Sequence, residues 1–408
     1  MMHRQPEPLP RLHPNIIAAL QQALELALEP DSHGAKIVEY QLKNNKKWGS
    51  RDRKLFAQVF YDIIRWRSRI AYACLLDEQK APHSVIANKL LETWLSLSSP
   101  QAPLGLQTRW LKPESSALRY ALPAWLYAQL QDSLGDLCDQ VCEQLNSTAP
   151  LFLRANSLKT TPQALAANLN AQNIPAILCN QPQAPEALLI KQKLNVFTSS
   201  LFRAGQFEVQ DLGSQQITHF TQVAAGMRVI DACAGSGGKT LALAAIMQNK
   251  GSILALDIYQ WKLDKLKQRA KRASAGIIRT QVIESSKVIK RQKEQADRLL
   301  LDVPCSGTGV LRRKPDSKWK LSFERLDQLC QTQADILERY SHMCKVGGKM
   351  VYATCSVLAR ENEQQVQSFL KAQPNWQLEE QQSLLPLPQS AHGQASDGFY
   401  MARLLRLS

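Results

Sequence analysis

Residues 227–257 read MRVIDACAGSGGKTLALAAIMQNKGSILALD. A short apolar run ends at Asp231, and a turn containing Gly235, Gly237 and Gly238 follows. Then comes a helix-length stretch, LALAAIMQ, and a second apolar run that ends at Asp257. Two parallel strands need a crossover between them, usually a helix, so this stretch reads as one βαβ unit. The pattern continues as TQVIE (280–284), DRLLLDVP (297–304), a long helical stretch after Trp319, and GGKMVYATCS (347–356) followed by another helix. Apolar strands alternating with helices predict an α/β, Rossmann-like domain over 223–408. Its mainly parallel sheet would be covered on both faces.

Upstream, the sequence divides twice more. Residues 1–147 read as successive helices, which predicts an all-α domain. The clearest helix is Arg51 to Ile70, where Leu55/Phe56, Val59/Phe60 and Ile63/Ile64 make one apolar stripe. Ser50 is the expected N-cap, with Arg53 where a capping box would want an acid. Asn15 to Leu28 is a second amphipathic helix, and Ser96 to Ser116 is expected to be a long loop. Asn146 to Pro150 has a linker's composition. Residues 148–222 then predict a small α/β subdomain, with short strands at Ala176–Leu178 and Ala187–Ile190. Gln373 to Ser396, rich in Gln and Pro, is expected to be a loop.

The whole chain has 408 residues, fitting two or three domains at ~100–200 residues each. Its 44% hydrophobic and 21% charged residues exclude wholesale disorder. The formal net charge of +15 makes a polyanion, RNA or DNA, the expected partner. From Lys43 to Arg69 nine basic residues stand against two acids, either as a solvated helix face or as a nucleic-acid surface. Nine scattered cysteines without a C-x-x-C pair argue against a disulfide framework and against a metal site. Cys138, Cys142, Cys330, Cys344 and His342 read as packing residues, the last three in or near the long helix after Trp319. Neither a membrane span nor the apolar core of a signal peptide is evident, so a cytoplasmic monomer is expected.

Three ligands compete for the loop Cys233-Ala234-Gly235-Ser236-Gly237-Gly238-Lys239. A P-loop would need glycine at Cys233, and a dinucleotide fingerprint would need glycine at Thr240. S-adenosylmethionine needs an acid at the end of the next strand to meet the ribose hydroxyls, and Asp257 stands there. Two further strands bear on the choice. One delivers Asp302, Pro304 and Cys305 to its end, the other Cys355. In an open parallel sheet these ends share one crevice with the glycine loop.

The stretches DVPCSGTGVLRRKPDSKW (302–319), VYATCSVLAREN (351–362), VIDACAGSGGKT (229–240), VQDLGSQ (209–215) and DGFYMARL (397–404) resemble signatures of a known family. It is the RsmB and Nop/Sun group of RNA cytosine carbon-5 methyltransferases. The resemblance implies a class I methyltransferase fold, S-adenosylmethionine as methyl donor, and RNA, above all ribosomal RNA, as substrate. Carried over to this sequence, it makes Cys355 the nucleophile and Cys305 the aid to product release. Cys233 to Lys239, Asp257 and Asp302 become cofactor-binding positions, and residues 1–147 a NusB-like RNA-binding domain. On chemical grounds Asp302, protonated or bridged to the ring amine, is expected to stabilise the base as Cys355 adds. Two departures stand out. Ser236 replaces a proline of the family's loop, and the third acid near the adenine is absent, leaving Glu284 or Ser285 in its place. Arg312 and Arg313 are expected to bind target-strand phosphates. The rival readings are a DNA cytosine methyltransferase and a non-catalytic RNA-binding assembly factor that has kept the fold.

Overall fold

The computed structural model describes residues 6–192, 194–387 and 396–408. The first five residues of the N-terminal stretch and 388–395 of the Gln/Pro-rich stretch lie outside them. The chain forms two units, one of 1–148 with 310–323, the other of 149–309 with 324–408. Among the described residues no helix is long and apolar enough to cross a membrane, and no His, Cys, Asp or Glu group is arranged to hold a metal ion.

The first unit is helical. Its longest helix, Ser50–Ala73, fully buries Phe56, Val59, Phe60 and Ile63 along the expected stripe, each contributing about 1.5–3 kcal/mol of apolar burial. Ser50 is not the cap: Gly49 holds that position and no side chain caps the helix. Arg53 turns back instead and donates to the carbonyls of Leu42, Asn45 and Trp48, at 2.8, 3.2 and 3.0 Å. It thereby satisfies carbonyls at and beyond the end of the preceding helix, Gly34–Asn44. The loop expected over 96–116 is interrupted by a helix, Leu104–Leu111. Burial of Trp110, edge-on to Trp94 at 5.9 Å, holds that turn-rich stretch in place.

The basic stretch splits in two. Arg69 is 1% exposed, donates to the carbonyls of Trp110 and Arg119, and lies 4.3 Å from the Trp110 ring. Burial, with repulsion from Arg119, brings its pKa down to about 10. Lys46, Lys47, Arg51 and Lys54 remain exposed. Residues 310–323 pack within this unit. Asp316 accepts from the Gly34 amide at 3.0 Å, Lys318 donates to the Arg65 carbonyl at 2.8 Å, and Trp319 donates to the Ile64 carbonyl at 2.7 Å. Arg312 is therefore no phosphate contact. Its side chain is 3% exposed, and its carbonyl accepts from Arg65 at 3.1 Å. Arg313 and Lys314 are exposed.

The second unit contains two sheets. Strands β1 (Leu151–Ala155), β2 (Ala176–Leu178), β3 (Ala187–Ile190) and β4 (Phe207–Val209) form an antiparallel sheet in the order β2-β3-β1-β4. The larger sheet comprises β5 (Arg228–Asp231), β6 (Ser252–Asp257), β7 (Ile278–Val282), β8 (Ala296–Asp302), β9 (Cys344–Thr354), β10 (Trp376–Leu384) and β11 (Phe399–Arg406). Its order is β10-β11-β9-β8-β5-β6-β7, parallel from β9 through β7, with β11 and β10 antiparallel. One expectation is corrected here. Residues 376–384, expected as loop, form an edge strand because they pair with β11 along its length. Cys344 starts β9 and is fully buried, whereas Cys330 lies in the helix Phe323–Ser341. The chain runs from β5 to β6 and β7 on one side and to β8 and β9 on the other. The carboxyl end of β5 is thus the topological switch point where ligands bind in such sheets.

Candidate active site

Four strand ends surround that switch point. The glycine loop follows β5, Asp257 ends β6, Asp302 ends β8 with Cys305 three residues on, and Cys355 follows β9 directly. The structure brings the two cysteines together: Cys305 Sγ lies 3.3 Å from Cys355 Sγ, and the Cys355 amide lies 3.3 Å from Cys305 Sγ. Lys239, at the start of the helix Gly238–Ile246, donates to Asp302 at 2.6 Å.

The electrostatics of the pair are asymmetric. Its hydrogen bond to Cys355 holds the Cys305 thiol well above its ordinary value, and burial and the negative charge of Cys355 push the same way. Cys305 therefore keeps the proton. Lys239 is buried, which alone would lower its pKa. Asp302 overrides that and holds the ammonium above its usual value, and charge on Cys355 adds to the effect. By the same interaction, the Lys239 cation favours a thiolate at Cys355. Cys233, at the start of the loop, is pushed far up by burial and by Asp231, Asp302 and Asp257, so it stays an inert thiol.

The cysteine loops are braced by groups to which the sequence reading assigned no role. The fully buried Glu361 accepts from the Ser306 amide at 2.7 Å, from the Ser306 hydroxyl, and from Gln333 at 3.0 Å. Thr354 donates to Asn362 at 2.6 Å, and Asn362 donates to the Ser356 carbonyl at 3.1 Å. A β-carbon at Gly309 would lie 2.1 Å from the Gly398 carbonyl oxygen, and the Gly309 amide donates to the Cys355 carbonyl at 3.0 Å. Only glycine permits that approach. Glu361 and Asn362 stood in the VYATCSVLAREN signature, so their positions were visible though their task was not.

The glycine loop is held from farther away. Arg154 on β1 donates to the Gly238 carbonyl at 2.7 Å, and Arg269 on the helix Gln260–Ala273 donates to the Ser236 carbonyl at 2.7 Å. Gly237 has a φ of +84°, and a β-carbon there would meet Leu266 at 2.4 Å. Asp257 accepts from the Gly235 and Tyr259 amides, both at 2.9 Å. Beneath the loop, Asp231 accepts from the Thr240 hydroxyl at 2.7 Å, and burial pushes its pKa up to about 7 against that bond. Ala234 is buried in the turn. Glu284 and Ser285 are exposed on the connection after β7.

This sheet, with a glycine loop and strand-end acids at its switch point, defines a Rossmann-like methyltransferase fold. Comparisons with known proteins agree. Residues 221–405 match the family 16S rRNA methyltransferase RsmB/F, and residues 122–197 match a Methyltr_RsmF/B-like, ferredoxin-like domain. The ribosomal RNA small subunit methyltransferase B of Salmonella paratyphi A is 30% identical over 362 residues, covering 84% of this chain and 82% of that protein. Its namesake in Vibrio cholerae is 34% identical over 292 residues, covering 70% of this chain and 65% of that one. The match therefore spans just under two thirds of the Vibrio relative's length. Among solved structures, the crystal structure of PH0851 shares the fold, with a TM-score of 0.81, 23% identity and coverage of 97% of this chain and 100% of that one. The chain belongs to the RsmB/F family of 16S rRNA methyltransferases.

Proposed function

We propose that the protein transfers a methyl group from S-adenosylmethionine to carbon 5 of a cytosine in RNA, with ribosomal RNA as the substrate class. Cys355 is the nucleophile. The observation that carries this reading is the pair of thiols 3.3 Å apart at the switch point, where Asp302 also holds Lys239 at 2.6 Å.

An ordinary cysteine is only about 3% ionised at pH 7. Here the Lys239 cation favours negative charge on the Cys355 sulfur. The thiolate adds to cytosine carbon 6, forming an S–C6 bond and shifting the C5–C6 electron pair to carbon 5. Bound S-adenosylmethionine supplies an electrophilic methyl group. A water molecule then takes the carbon 5 proton as base, the C–H electron pair re-forms the ring double bond, the S–C6 bond breaks and Cys355 regains its electron pair. Cys305, within contact distance of Cys355 Sγ, assists this release. A ring stacked in a helix hides both faces, so the target must be single-stranded or turned out.

The loop residues fit the donor. A β-carbon at Gly235 or Gly238 would meet open space, and the Ser236 and Gly238 carbonyls are drawn away by Arg269 and Arg154, so the loop leaves room for a ligand to approach its backbone closely. Cys233 to Lys239 and Asp257 would hold it, with Asp302 orienting Lys239. The exposed lysines and arginines of the helical unit are its RNA-facing part in this reading.

The test is covalent trapping. Cys305→Ala incubated with RNA and donor should accumulate a protein–RNA adduct, seen as a slow band in a denaturing gel. Adding Cys355→Ala should remove the band, and an adduct that persists without Cys355 overturns the assignment.

A further inference from the structure

Beside the cofactor loop lies a patch that the chemistry above does not use. Ile258, Tyr259 and Trp261, just after β6, are 58%, 48% and 55% exposed. The two rings are neighbours, with centroids 6.3 Å apart. Lys262 places its ammonium 4.5 Å from the Tyr259 ring centroid, and Lys265 places its own 4.9 Å from that of Trp261. Lys262 also lies 3.8 Å from Asp257, so the patch adjoins the acid that ties down the loop.

Two large aromatic side chains exposed together cost hydrophobic free energy unless something covers them. Lysines on the rings select what that is. An acidic or aliphatic protein surface could meet either the charges or the rings, whereas a single nucleic-acid strand meets both, with bases on the rings and phosphates on the ammonium groups. Arg269 and Arg272 of the helix Gln260–Ala273 are not part of the patch, since both bind Glu208.

We propose that Tyr259 and Trp261, with Lys262 and Lys265, form a stacking platform for single-stranded RNA beside the cofactor loop. It would hold nucleotides flanking the target cytosine. The proposal rests on the RNA methyltransferase reading, and the test separates the two.

Affinity for a labelled single-stranded RNA of about 20 nucleotides is measured by fluorescence anisotropy over a salt series, and donor affinity by calorimetry. Tyr259→Ala/Trp261→Ala should weaken RNA binding roughly 10-fold or more, the loss of stacking for one to two bases, with donor affinity unchanged. Lys265→Ala should lower the slope of log affinity against log salt by about 0.7. Tyr259→Phe/Trp261→Phe, which keeps the ring faces, should retain RNA affinity and also guards against misfolding of the alanine variant. Irradiation with thiouridine-substituted RNA should crosslink the peptide carrying Trp261. A wild-type protein that does not bind RNA rejects the methyltransferase reading itself. Wild-type binding left unchanged in the alanine variant rejects the platform alone. Lost donor affinity with intact RNA affinity makes the patch a cofactor contact and also rejects it, as does failure of the phenylalanine variant to bind.

Discussion

On the cysteine side of the site, Ser306, Ser356, Glu361 and Asn362 hold one another within two short stretches of chain, with Gln333 and Gly398 packed against them from outside. On the glycine side, the carbonyls of Ser236 and Gly238 depend on Arg269, from a neighbouring helix, and Arg154, from a different sheet. Arg269 is steadied in turn by Glu208 on β4. The first arrangement ties the loops that carry the two sulfurs through short local bonds, as a reaction that depends on close positioning requires. The second shapes a binding loop through partners that can give without unseating the chemistry.

Three substitutions put that contrast at risk. Glu361→Ala leaves the Ser306 amide, its hydroxyl and Gln333 without their buried acceptor. It should cost roughly 100-fold or more in kcat, and about 2–4 kcal/mol in urea unfolding. A variant with kcat within a fewfold of wild type would show that the cysteine side is not held as described.

Next in size is a pH effect on the glycine side, where Asp231 has its pKa pushed up to about 7 by burial. An unfolded chain releases that proton near pH ~4. Between those values the native state binds more protons than the unfolded one, so stability falls as pH rises through the window and levels off above it. The loss between pH 5 and pH 8 should be about 2–3 kcal/mol in urea titrations, and Asp231→Asn should remove most of it. An unchanged slope in that variant would assign the pH dependence elsewhere.

The smallest effect should come from Arg269→Ala. It frees the Ser236 carbonyl while Arg272 still pairs with Glu208. Donor affinity should fall about 5- to 10-fold with kcat nearly unchanged, in line with one lost charged hydrogen bond. If kcat falls as far as affinity does, the two sides are mechanically one.

What could be read in advance follows the same division. Strands β5, β6, β8 and β9 were legible because each is an apolar run that ends in a chemically distinctive residue. The convergence of Cys305 and Cys355 followed from parallel strand geometry alone. The edge strand β10 is hard to see in sequence because WQLEEQQSL is mostly polar and exposed between its buried ends, Trp376 and Leu384, and its pairing with β11 makes it a strand. Arg154 was unreadable as a loop brace because it precedes Gly238 by 84 residues. Arg312 reads as a surface charge beside an active-site strand, and nothing local shows that residues 310–323 pack within the helical unit.

That segment has a consequence for the molecule's modularity. The helical unit is assembled from two stretches separated by more than half of its own sequence numbering, and the second starts five residues after Cys305. A fragment ended at residue 148 would lose the Trp319 indole and Lys318, whose ammonium is driven well down by burial and Arg65. A fragment begun at 149 would carry those same groups into water with nothing to receive them. A cut at the apparent linker would therefore separate groups that pack together in the helical unit.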